Sequence, residues 1–302
     1  MRGSAIEVSD GVYAYIQPDG SWYINNTGFL AGRHGVVSID TCSTEARTRA
    51  YLASVAAVTS QPVRTLVNTH HHGDHTYGNC LLPGATIVGH ERCRDEVIAA
   101  GPAANRGLFE DVEWGDLTVT PPFLTYRDAI TLWVDDLRCE VRYVGTPAHT
   151  TNDSIIHIPD RGVLFAGDLL FNGGTPFLLM GSVSGAIEVL EQVIRPLNAP
   201  VIVAGHGPVC GPSLIDDMLS YLRFVQDVAR RGRQAGLTPL QAARETDLGG
   251  YGDLLDAERI VGNLHRAYLE LDGAERGAPI DLVAALTDMV AYNGGKPLTC
   301  HA

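Results

Sequence analysis

The sequence predicts an α/β chain in which two β-sheets pack face to face with helices on their outer surfaces, followed by an all-helical C-terminal region. Three observations carry this prediction. Short alternating apolar runs, bounded by Gly, Pro and Asn, dominate the first 212 residues and read as strands. Segments of helical period are interleaved with them. After Pro212 the strand pattern stops, and only helical periodicity with polar caps and glycine breaks continues. The chain has 302 residues with 45% hydrophobic content, enough to bury a large core, and such α/β folds commonly fill more than about 200 residues as one domain. The expected division is residues 1–212 as an α/β domain and residues 213–302 as a helical region packed on it.

In chain order, alternation at 11–17, 23–31 and 36–40 reads as a strand meander, and 43–58 as a helix. The apolar run Val63-Arg64-Thr65-Leu66-Val67 reads as a buried strand. Strands near 87–89, 131–134, 137–144, 154–158 and 163–166 supply the second half. A helix over 184–195 leads to a strand at 201–204. Helical periodicity then covers 213–234, 239–245, 253–272 and 279–292. This appendage is expected to cover a sheet edge, to form a homodimer contact or to build one wall of a substrate cleft.

Acidic residues outnumber basic ones 35 to 22, a net charge of −13, which argues against nucleic acid as a partner. No apolar stretch approaches the ~20 residues of a membrane span, and residues 1–10 lack the apolar core of a signal segment, so the chain is expected in the cytoplasm with no membrane contact. Cys42, Cys80, Cys93, Cys139, Cys210 and Cys300 contain no Cys-x-x-Cys pair and read as reduced thiols. Gly181-Ser182-Val183-Ser184-Gly185 only looks like a nucleophile elbow, and no phosphate loop or dinucleotide fingerprint is present. Gly28, His34 and His90 belong to no constellation and read as structural.

The densest chemistry follows the 63–67 strand. Asn68-Thr69-His70-His71-His72-Gly73-Asp74-His75 places four good metal-binding side chains, in the pattern His-x-His-x-Asp-His, at a strand's carboxyl end. His70 and His72 can point together into one site while Asp74 and His75 reach a second. Three more ligand types, His149, Asp168 and His206, each end an apolar run beside a turn residue. With no cysteine in the set, these imidazoles and carboxylates suit zinc, and also iron or manganese. Two metals about 3.5–4 Å apart can lower the pKa of a shared water toward ~7 and can polarise a carbonyl or an enolate. Hydrolysis of an activated carbonyl and an aldol step are both open to such a pair.

This order of ligand segments resembles the metallo-β-lactamase superfamily over about residues 11–212. The resemblance implies a four-layer αβ/βα sandwich. It also implies that His70, His72 and His149 hold one metal, that Asp74, His75 and His206 hold the other, and that Asp168 bridges them. Asp168 stands where true β-lactamases have a cysteine or no bridging ligand, and His72 stands where diiron flavoprotein relatives carry Glu.

A tighter resemblance lies in the words between the ligands. Gly173-Gly174-Thr175-Pro176-Phe177, the run 236–244 (GLTPLQAAR), Asn263-Leu264-His265-Arg266-Ala267 and Val290-Ala291-Tyr292-Asn293-Gly294-Gly295 are similar to actinomycete aromatic-polyketide cyclase/thioesterases of the actinorhodin second-ring type. This implies ring closure by aldol condensation, then hydrolysis of the thioester joining the product to an acyl carrier protein, with Asp74 or the hydroxide taking the proton and Asp168 catalytic. Phe171, Phe177 and Met180, in a Gly-flanked apolar stretch after Asp168, and His265 in the appendage are the expected substrate contacts. Arg223, Arg230, Arg231 and Arg233, or Arg92, Arg94 and Arg106, would offer an acidic carrier protein a basic patch. A glyoxalase II-like thioesterase or a lactonase fits the same ligand set, and the non-enzymatic alternative is a metal- or ligand-binding protein on the same scaffold.

Overall fold

A computed structural model of the chain describes residues 3–302, so the N-terminal stretch read as lacking a signal core begins, at Met1 and Arg2, outside the described residues. The first sheet has seven strands in sequential order. β1 (Ser4–Ser9), β2 (Val12–Ile16), β3 (Thr27–Gly32) and β4 (Gly35–Ile39) form an antiparallel meander. After the helix α1 (Glu45–Val58), β5 (Val63–Val67) pairs parallel with β4. The short α2 (Gly73–Thr76) precedes β6 (Thr86–His90), α3 (Glu91–Ala100) and β7 (Leu124–Tyr126), and both strands continue the parallel half.

The second sheet has the order β12-β11-β10-β9-β8. It comprises β8 (Ala129–Val134), β9 (Leu137–Tyr143), β10 (Ser154–Ile158), β11 (Val163–Phe171) and, after α4 (Val183–Val189), β12 (Val201–His206). Its strands are antiparallel except β11 and β12. The helices α5 (Ser213–Gln234), α6 (Pro239–Glu245), α7 (Arg259–Leu271) and α8 (Leu282–Tyr292) complete the chain.

Burial explains the layering. Successive strand residues point to opposite faces, so Ala14, Leu30, Val37 and Val67 meet Val141, Ile156, Phe165 and Val203 between the sheets. Their neighbours Tyr15, Phe29 and Val36 turn outward onto Tyr51 and Val55 of α1. On the far side, β11 and β12 pack against Val183 and Val189 of α4 and against Leu219, Leu222 and Val225 of α5, in one cluster that also takes in Ile260 and Leu264 of α7. Strands buried on both faces read as apolar runs rather than as clean alternation. The result is the expected four-layer sandwich with a helical C-terminal region.

The sequence reading needs correction at several elements. β1 and β7, edge strands with exposed residues, lack the apolar signal and were missed. α3 was missed because only Cys93 and Val97 are buried along its charged sequence. The helix expected over 253–272 begins only at Arg259, because Asp256 has φ +56°, a left-handed conformation that breaks a helix. The 184–195 helix is α only through Val189 and continues as a π turn. The 163–166 strand runs on to Phe171, carrying Asp168 inside it. All six cysteines are free. Ser182 is the N-cap of α4, its hydroxyl accepting from Gly185 N, a capping role that accounts for the elbow-like spacing. No helix among the described residues is long and apolar enough to cross a membrane.

Candidate metal centre

The parallel strands set the site. β4 and β5 run side by side, so the residues after their carboxyl ends, Asp40 and Asn68 to His72, emerge together. β11 and β12 do the same in the other sheet and bring Asp168 and His206 to that edge. Gly167 has φ +54°, and the β11/β12 register shifts on either side of it, so the strand kinks at the residue before Asp168. Gly205 leaves the room: a Cβ there would lie 1.9 Å from Asp168 Oδ1. His149 comes from the β9–β10 loop, which is pinned by Thr150 N and Oγ1 donating to buried Asp153 at 2.8 and 2.6 Å.

These elements assemble two groups. One ligand atom each from His70, His72, His149 and Asp168 lies within 4.8 Å of the others, as does one each from Asp74, His75, Asp168 and His206. Asp168 belongs to both. Its Oδ2 is 3.4 Å from His149 Nε2 and 3.3 Å from His206 Nε2, and its Oδ1 is 3.1 Å from His75 Nε2. Asp74 Oδ2 faces His206 Nε2 at 3.3 Å. His72 Nδ1 approaches His149 Nε2 at 2.8 Å.

The outward ring nitrogens are held by other groups. Buried Asp40 takes His75 Nδ1 at 2.8 Å and the Thr69 hydroxyl at 2.7 Å on Oδ2, and Thr69 N on Oδ1 at 2.8 Å. With the Thr69 hydroxyl hydrogen directed at Asp40, His70 Nδ1 donates to Thr69 Oγ1 at 3.0 Å. His149 Nδ1 donates to Phe177 O, His206 Nδ1 to Gly20 O at 3.0 Å, and His72 Nε2 to Met180 Sδ at 3.4 Å. In a neutral ring this leaves the inward nitrogen as a lone-pair donor, the arrangement that orients imidazoles on a metal. His70 Nε2, His75 Nε2 and Asp168 Oδ1 are buried with no hydrogen-bond partner. Buried polar atoms need partners, and these converge on the same space, so this set of donors fits a pair of metal ions.

Without a metal ion the electrostatics differ between the two groups, favouring neutral rings in one and charged rings beside the carboxylates in the other. Burial, reinforced by the neighbouring histidines, pushes His70 and His72 well below the usual histidine range. Burial also opposes charge on His75 and His206, but Asp168 and Asp74 outweigh it, holding His75 well above that range and His206 at about 9. Asp168 is held well below the carboxylate range against its own burial by His206, His75 and His149.

The remaining expected residues sit variously. The Phe171 ring is buried and stacked on His206, with centroids 5.1 Å apart. Met180 and Phe177 lie beside the site through the contacts just described. His265 pairs with Asp288 of α8 at 2.8 Å and joins neither group. His71, inside the motif, accepts from Asn152 Nδ2 at 3.0 Å and also joins neither. Of the expected patch Arg223, Arg230, Arg231 and Arg233, three are paired, Arg223 with Glu191, Arg230 with Asp227 and Arg233 with Asp272. Sequence reasoning missed Asp40, although an Asp ending the apolar strand next to the ligand strand was a usable signal. It also missed an aromatic group on the Asp74 side. Tyr77 packs edge-on to Trp114 at 5.7 Å, Trp114 to Tyr23 at 5.2 Å, Tyr23 to Phe109 at 5.4 Å, Phe109 to Trp22 at 5.2 Å, and Trp22 to Phe177 at 4.9 Å.

The model of the metallo-beta-lactamase superfamily matches residues 20–206, from β3 to β12, and takes in every residue of the two ligand groups. The chain belongs to that superfamily. It is 23% identical over 300 residues to a linear primary-alkylsulfatase of Pseudomonas sp., covering 82% of this chain and 56% of that protein. It is 33% identical over 144 residues to a hydroxyacylglutathione hydrolase of Rhodospirillum rubrum, covering 47% of each. The chain thus spans about half the length of the curated relatives it matches. A metallo-beta-lactamase from Pontibacter korlensis superposes with a TM-score of 0.62 at 20% identity, over 74% of this chain and 99% of that one, a likeness of fold.

Proposed function

We propose that this superfamily member is a dinuclear zinc hydrolase of thioesters, and specifically a cyclase/thioesterase that acts on a partly cyclised aromatic polyketide carried by an acyl carrier protein. The observation that carries the hydrolase reading is Asp168, the carboxylate shared by both ligand groups. In this reading His70, His72 and His149 would hold one ion and Asp74, His75 and His206 the other, with Asp168 shared by the two groups. Two zinc ions held there would supply Lewis acidity toward a carbonyl oxygen and lower the pKa of a shared water toward ~7.

The chain's own groups supply the rest. Asp74, with Oδ2 toward His206, is placed to hold the proton released as water attacks the thioester carbonyl. Asp40, Thr69, Gly20 and Phe177 keep the imidazoles in the tautomer that faces inward. Tyr77, Trp114 and Tyr23, on the Asp74 side, give a flat acyl group ring faces to pack on. The word-level resemblance after residue 172 supports the polyketide substrate, and residues 213–302 would then form part of its cleft. A glutathione-thioesterase reading is favoured by the match to the Rhodospirillum rubrum hydrolase.

Mass spectrometry of the products separates these readings. The zinc-loaded protein is incubated with a partly cyclised polyketide on acyl carrier protein, with a hydroxyacylglutathione and with a simple coenzyme thioester, alongside Asp168→Ala. Release of a newly ring-closed acid, absent with Asp168→Ala, is expected. Hydrolysis of the glutathione thioester alone would replace the polyketide reading, and no hydrolysis of any thioester would overturn the thioesterase.

A further inference from the structure

One buried side chain in the C-terminal helical region is unusual in chemistry and position. Arg259, at the start of α7, is 1% exposed, among the largest fully buried side chains of the protein. Burying a guanidinium is costly unless its charge and donors are used. Nη2 pairs with Asp256 Oδ2 at 2.7 Å, and Nη1 donates to Thr175 O at 2.9 Å. Its planar group lies over the Trp22 ring at 4.0 Å and within 5.4 Å of the Phe171 ring.

Both aromatic contacts lead to His206, although the Phe171 ring also lies 5.9 Å from the His149 ring, tilted by 59°. Phe171 stacks on His206 with an interplanar angle of 10°, which fixes the tilt of that imidazole. Trp22 belongs to the segment whose Gly20 carbonyl takes His206 Nδ1, which fixes its rotation. That segment is tied to α7 a second time, because Trp22 Nε1 donates to Glu258 Oε1 at 2.7 Å. We infer that Arg259 is a positioning residue for the metal half that contains His206, so that the C-terminal helical region tunes one ion of the pair. The inference rests on the two-metal reading but not on the choice of substrate.

The other half has separate support. His149 is held by Phe177 O, and the segment carrying it is anchored by Asn263, whose Nδ2 donates to Pro176 O at 2.7 Å and whose Oδ1 accepts from Leu178 N at 2.9 Å. Loss of Arg259 removes the bond to Thr175 O at the start of that segment but leaves both Asn263 anchors in place.

The test is a zinc titration of the metal-free full chain against a competing chelator, with the two steps assigned by His206→Ala and His149→Ala. Arg259→Met with Asp256→Asn, which removes both charges together, is expected to weaken the step lost in His206→Ala by about ten- to a hundredfold, and to change the other step less than about threefold. Glu258→Gln, which weakens the tie between α7 and the segment holding His206, should reproduce that selectivity, and Asn263→Ala should reverse it. Circular dichroism and melting of the metal-free variants control for folding; if the double variant does not fold, Glu258→Gln carries the test alone. Equal weakening of both steps, or an unchanged His206 step in a folded variant, would overturn the inference. A wild-type chain that takes up fewer than two ions would remove the two-metal reading beneath it, a failure visible before any variant is measured.

Discussion

Asp40→Asn changes one buried atom and reaches both ligand groups. Asp40 receives three hydrogens, from Thr69 N on Oδ1 and from the Thr69 hydroxyl and His75 Nδ1 on Oδ2. An asparagine of the same shape keeps its oxygen for Thr69 N but presents an NH2 where Thr69 and His75 also present hydrogens. Two donors cannot bond, so His75 must move its hydrogen to Nε2, the nitrogen that faces Asp168 at 3.1 Å, and lose its lone pair there. The Thr69 hydroxyl must turn to accept, which removes the acceptor of His70 Nδ1. Loss of such an orienting partner weakens metal binding about 10- to 100-fold, or about 1.4–2.7 kcal/mol. Because a hydrogen bond to a charged group contributes about 1.5–3 kcal/mol, the metal-free protein should lose about 1–3 kcal/mol as well. Zinc titration against a chelator measures the first quantity and urea unfolding of metal-free protein the second. An Asp40→Asn protein that binds both ions with wild-type affinity would refute this account of ligand orientation.

Other consequences can be measured directly. Tyr77→Ala should raise KM for an aromatic acyl thioester by about two- to tenfold, the worth of an aromatic contact, and leave a short acyl thioester unchanged; equal effects on both would remove Tyr77 from the acyl wall. His90, left structural by the sequence reading, accepts from Arg92 N at 3.2 Å and donates to Arg127 O at 2.9 Å, and burial lowers its pKa. A histidine depressed in the fold contributes stability above its unfolded pKa near 6.5, and this is lost as pH falls below that value, so His90→Gln should flatten the fall in melting temperature between pH 7.5 and 5.5. Leu222→Ala, at a fully buried position of α5, should cost about 2–5 kcal/mol and should lower a single unfolding transition of the whole chain. A second, unshifted transition would mean that the helical region folds apart from the sandwich.

The candidate ligand groups were legible because metal chemistry constrains residue type and spacing locally. His70, His72, Asp74 and His75 share one loop, and His149, Asp168 and His206 each end an apolar run beside a turn residue, so their order along the chain carries the pattern. The strands and long helices were legible for a similar reason, since periodicity reports burial and α5 and α6 have the bounds read from sequence. Edge strands and charged helices such as β1, β7 and α3 bury too little to leave that trace. Tertiary structure decided what long-range contact creates. It set Asp40 under His75, Tyr77 beside Trp114, and Arg259 of α7 against Trp22 and Phe171, in the last case 237 and 88 positions away in sequence. No local rule could foresee those neighbours. A ligand is recognised by its own chemistry, whereas a residue that orients a ligand is defined only by what the folded chain places next to it.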